Sequence, residues 1–138
     1  MIDSFDELLY FTIQNPIGSI IITHGGCRYE KLYKENNCLY SKISYKDALV
    51  PKKFFAACMK ALGVREFDDS YINFDSLHEI VNEYIDNNST LYIIISVGDS
   101  LLNHISIKFI YLLLEWDRIN FHSMKNNAKA LLVLDLDT

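Results

Sequence analysis

Asp75, His78 and Glu79 stand within one helical turn of each other in the run Asn73-Phe-Asp-Ser-Leu-His-Glu-Ile-Val81. Residues three and four apart share a helix face, so this trio could move protons as general acid and base, or hold a metal ion. Neither chemistry is complete in the sequence. There is no second cluster to finish a ligand set, no glycine-rich phosphate loop and no Gly-x-Ser-x-Gly elbow. His24, His104 and His122 are each isolated, and Cys27, Cys38 and Cys58 lack the paired close spacings of a zinc or redox site. The three cysteines read as free thiols of a reducing compartment. The expectation is a protein with no cofactor and no catalysis of its own, and a hydrolase built on Asp75, His78 and Glu79 is the lesser alternative.

The same residues have a second use as a charged surface. From Glu66 to Asp86 the chain carries seven acids (Glu66, Asp68, Asp69, Asp75, Glu79, Glu83 and Asp86) and no Lys or Arg. The net charge of the whole chain is only −5, so the other residues sum to +2 and the negative charge is local. Salt-bridging lysines at four-residue spacing are missing, and Phe67 and Tyr71 sit among the acids. Clustered like charge repels itself, and aromatic side chains suit an interface anchor, so the pattern points to a basic protein partner. Nucleic acid is not expected as a ligand, because there is no basic cluster to neutralise a phosphate backbone. A membrane is not expected either. No basic region precedes an apolar one at the start, and the longest uncharged apolar runs, such as Leu91 to Val97, are too short to span. A cytoplasmic location follows as the expectation.

These residues need a scaffold, and at 138 residues with half of them apolar the chain can build one core as a single domain. The β-branched run Ser19 to His24, closed by Gly25-Gly26, reads as a short strand, and Leu39 to Tyr45 as a second. Residues 1–48 thus form a β-rich extension ahead of a core at 50–135. Pro51 marks a helix start, Phe54, Phe55, Cys58, Met59 and Leu62 its apolar stripe, and Gly63 its stop. Asn73 is the N-cap of the next helix, whose buried stripe is Phe74, Leu77, Ile80, Val81, Tyr84 and Ile85. Its outward face carries Asp75, His78, Glu79, Asn82, Glu83 and Asp86. Asn87-Asn88-Ser89 turns into the strand Leu91 to Val97, apolar on both sides as in a sheet interior. Gly98-Asp99-Ser100 caps a long apolar helix through Ile107, Phe109, Ile110, Leu113, Leu114 and Trp116, and Ala130 to Asp135 is a last buried strand. Helices between buried strands imply an α/β fold with a small parallel sheet flanked by helices.

The run Phe55-Ala-Ala-Cys-Met-Lys-Ala-Leu-Gly-Val-Arg-Glu-Phe67, followed by Asn73 to Val81, resembles the hallmark of the barstar family of ribonuclease inhibitors. That hallmark is a helix, a Leu-Pro-Glu-Tyr-Tyr-Gly type loop, then Asn-Leu-Asp-Ala-Leu-Trp-Asp-Ala-Leu. The resemblance covers roughly residues 52–135, including the later order of strand, helix and strand, and is most specific at Asn73 to Val81. Here the loop Asp68 to Ile72 is longer and has no glycine, and His78 stands where the family usually has Trp. The resemblance implies a barstar-like fold and an immunity protein that occupies the active site of a basic ribonuclease toxin. By it, Asp75 and Glu79 take the place of substrate phosphate, Phe67 packs over catalytic groups and His78 replaces the interface Trp. Glu66, Asp68, Asp69, Tyr71 and Glu83 complete the expected partner-binding surface. A non-catalytic adaptor on the same fold, binding another basic protein, is the alternative from a different class.

Overall fold

A computed structural model of the chain describes residues 20–23, 39–66, 72–98, 106–119 and 128–136. The elements in order are β1 (Ile20–Thr23), β2 (Leu39–Ser44), α1 (Tyr45–Ala48), α2 (Pro51–Ala61), α3 (Phe74–Tyr84), β3 (Thr90–Ser96), α4 (Ile107–Ile119) and β4 (Lys129–Asp135). The strands form one sheet in the order β1-β4-β3-β2, and every neighbouring pair is parallel. The fold is therefore α/β, with a small parallel sheet and flanking helices. Both strands assigned to an N-terminal extension belong to this sheet: β2 pairs along its length with β3, and β1 closes the far edge against β4. The sheet thus reaches back before residue 50.

Alternation along the central strands sorts the layers. Leu91, Ile93 and Ile95 of β3, with Ala130, Leu132 and Leu134 of β4, pack into one core with Phe54, Leu77, Val81, Phe109 and Trp116 from the helices. The intervening Ile94 and Val133 are buried on the opposite face with Tyr40 and Tyr92 beside them. A strand buried on both faces loses its polar alternation, which is why Leu91 to Val97 reads as a continuous apolar run. Ser41 is the polar exception in β2. Its hydroxyl donates to the Ala57 carbonyl at 2.7 Å, so a buried polar group is satisfied and β2 is tied to α2.

Local chemistry sets the helix ends. Ser44 accepts from the Asp47 amide at 3.1 Å and starts α1, a short helix the sequence reading did not foresee. Pro51 opens α2, where its missing amide needs no partner. At the other end Gly63 has φ +77°, its amide bonds to the Lys60 carbonyl, and the Val64 amide bonds to that of Met59. That pair of bonds is a Schellman stop, and the left-handed residue in it is the position glycine fills without strain. Among the described residues no helix is long and apolar enough to cross a membrane.

Two helices differ from expectation. α3 ends at Tyr84, which is 51% exposed rather than part of the buried stripe; Ile85 leaves the helix in an extended conformation and fills the core instead. Among the described side chains of α4, Phe109, Leu112 and Trp116 are fully buried, and Ile107, Ile110, Tyr111 and Leu114 are exposed. The segment expected to cap it, Gly98-Asp99-Ser100, lies mostly outside the described residues, as do His24, His104, His122, Cys27 and Cys38. Cys58 is fully buried, and burial pushes its thiol pKa strongly up, so it stays a neutral core filler.

Candidate functional site

α3 is fixed at its first turn from three sides. The Asn73 side chain accepts from the Ser76 amide at 2.8 Å, while the Ser76 hydroxyl accepts from the Asn73 amide at 2.9 Å. This reciprocal cap satisfies two amides that the helix itself leaves unpaired. Phe74 then packs edge-on against Phe55, with ring centroids 5.0 Å apart, and lies 6.2 Å from Phe54, which in turn meets Trp116 of α4 edge-on at 5.8 Å. Leu77 and Val81 are buried one turn and two turns on. The helix phase is set by these contacts, and with it the direction of every outward residue.

Asp75, Glu79 and Glu83 all face solvent on the described helix. Four-residue spacing sets them about 6 Å apart along the axis, in a shallow spiral on one side. Asp86 is exposed just beyond the helix, and Glu66 is exposed just after the Schellman stop of α2. Phe67, Asp68, Asp69 and Tyr71 lie outside the described residues. His78 is half-buried beside the acids, not fully outward; its pKa is lowered, chiefly because burial disfavours the imidazolium, against the opposing pull of Glu79.

The fold also brings in residues that the local sequence does not announce. Arg118, in the last turn of α4, donates to Asp75 Oδ1 at 2.6 Å and to Glu115 Oε2 at 2.6 Å. Its pKa is raised first by the bond to Glu115 and then by that to Asp75. The acidic face is therefore not bare of cations: one guanidinium bridges its first carboxylate to the neighbouring helix. The side chains remain open to water, at 79% exposure for Asp75 and 51% for Arg118, so the pair is a screened surface contact. Only Arg118's place in the final turn of an amphipathic helix hints at it in the sequence, since cations are favoured there.

An apolar groove is lined by Ala48, Leu49, Pro51, Phe74, Tyr111 and Leu112, together with Lys108. Among the described residues no group of three His, Cys, Asp or Glu side chains is arranged to hold a metal ion. The arrangement can present carboxylates at one-turn intervals along one capped helix. No protein-family model matches the chain, and no curated protein is similar enough to count as a relative.

Proposed function

We propose that this protein is a barstar-like inhibitor that blocks the active site of a basic ribonuclease toxin, as an immunity protein does for the cell that makes the toxin. The observation that supports this reading is the row of exposed carboxylates Asp75, Glu79 and Glu83 on a helix locked by its cap and by Phe74. A ribonuclease cleft holds cations for phosphate, and a rigid row of carboxylates can take their hydrogen bonds without being cleaved. Asp75 and Glu79 enter the cleft in this reading, and Glu83 and Asp86 lie toward the rim and steer the encounter. His78 supports the row from its half-buried position. Glu66 and the loop residues Phe67, Asp68, Asp69 and Tyr71 form the remainder of the contact. Arg118 holds Asp75 in place in the free protein and shares it with, or yields it to, the partner's cations.

The experiment is capture from the source cell with the full-length protein, followed by an RNA-hydrolysis assay of the captured protein with and without added inhibitor. A basic ribonuclease silenced by stoichiometric addition supports the reading. Capture of a basic protein that does not cleave RNA would point to the adaptor alternative, and metal-dependent hydrolysis by the purified protein, lost in His78→Ala, to the enzymatic one.

A further inference from the structure

α4 carries a second apolar stripe back to back with the one in the core. Ile107 (71% exposed), Ile110 (44%), Tyr111 (64%) and Leu114 (60%) follow steps of three, one and three. That is the spacing of a contiguous helix face, diametrically opposite Phe109, Leu112 and Trp116. Single exposed apolar residues are ordinary, but a stripe of four aligned large ones marks an interaction surface.

The charges on its flank indicate what it fits. Lys108 and Glu115, seven positions apart, lie on the same side of the stripe, one toward each end, and Glu115 Oε2 also accepts from Arg118 of its own helix at 2.6 Å. A two-fold axis between Ile110 and Tyr111 would set α4 antiparallel to its copy, with Ile107 against Leu114 and Ile110 against Tyr111. The same operation brings Lys108 to within about 3 Å, along the axis, of Glu115 of the second copy, by the helical rise per residue. The surface is thus complementary to itself in shape class and in charge, as an isologous interface requires. We propose that α4 is the contact face of a homodimer, paired through the stripe and through two reciprocal Lys108 to Glu115 contacts. The inference rests on the face of α4 and not on the function proposed for α3, although Arg118 donates both to Glu115 and to Asp75 and so links the two surfaces. Four apolar side chains per copy make an interface at the small end of specific contacts, so the dimer is weak and reversible.

Sedimentation equilibrium of the full chain from about 1 to 500 µM spans the range for such an affinity. The expected result is a concentration-dependent monomer–dimer equilibrium that Leu114→Asp shifts to monomer throughout. Lys108→Glu and Glu115→Lys should each weaken the dimer a few-fold, and the double variant Lys108→Glu/Glu115→Lys should restore it. Circular dichroism verifies that each variant is folded. A monomer at the highest concentration, a dimer insensitive to Leu114→Asp, or a double variant no better than the singles would overturn the proposal. So would a monomer whose stripe instead binds phosphatidylcholine vesicles and loses that binding in Leu114→Asp.

Discussion

Asp75 sits at the meeting point of two helices, where Arg118 offsets part of its charge. The two are 43 residues apart in the chain, so no local spacing rule could pair them, whereas Asp75, Glu79 and Glu83 were legible because helical periodicity alone puts them outward. Removing the guanidinium should leave the fold intact, since the pair is exposed, and should make the acidic face more negative. Arg118→Ala is therefore expected to raise the association rate with a basic partner by about twofold or more at low salt, with the gain disappearing as salt screens the field. Stopped-flow association at two ionic strengths checks this; an unchanged or slower rate at low salt would mean that Arg118 takes part in binding. His78 gives a second expectation. Its folded pKa lies below the ordinary 6.5, so the unfolded chain takes up the proton more readily. The stability tied to the neutral imidazole is present above the unfolded value and is lost as pH falls through the folded one. Urea unfolding between neutral and mildly acidic pH should show this slope in the parent protein and a shallower slope in His78→Gln.

At the scale of elements, the punctuation was readable and the packing less so. Pro51, Gly63 and Asn73 each act through their own backbone or side chain, so their roles as start, stop and cap follow from residue type alone. Burial depends on what the rest of the fold lays against a helix. Tyr84 fits the α3 stripe by spacing but is exposed because the helix ends there, and Ile80 is only partly buried while Leu77 is wholly so. In α4 nine of the thirteen positions are apolar and form two stripes, and periodicity cannot say which of them meets the core. Leu77→Ala should accordingly cost about 2–5 kcal/mol, through lost transfer energy and an unfilled cavity, and Ile80→Ala distinctly less. Chemical denaturation of the two variants tests the helix phase; an equal or larger cost at Ile80 would mean that α3 is rotated from the orientation that sends Asp75 and Glu79 outward.

Among the described residues, a sheet of four parallel strands is joined to one strongly acidic helix face. The buried strands β3 and β4 were plain in the sequence because double-sided burial strips them of polar residues. The edge strands β1 and β2 were recognisable as strands but not as members of the same sheet, since parallel pairing joins residues far apart in the chain and leaves no local trace. The loop between α2 and α3 carries five of the residues expected to bind, of which Glu66 is described and exposed while Phe67, Asp68, Asp69 and Tyr71 lie outside the described residues. The central claim is that the first two carboxylates of α3 are buried against a partner's cations while the last two lie at the rim. The measurement is the dissociation rate and affinity of Asp75→Ala, Glu79→Ala, Glu83→Ala and Asp86→Ala for the captured ribonuclease at low and high salt. Asp75→Ala and Glu79→Ala should each lose about 2–5 kcal/mol of binding, mainly as faster dissociation that persists at high salt. Glu83→Ala and Asp86→Ala should mainly slow association, in a way that salt erases. Equal losses in the two pairs, or none in the first, would contradict the account and move the binding surface off α3.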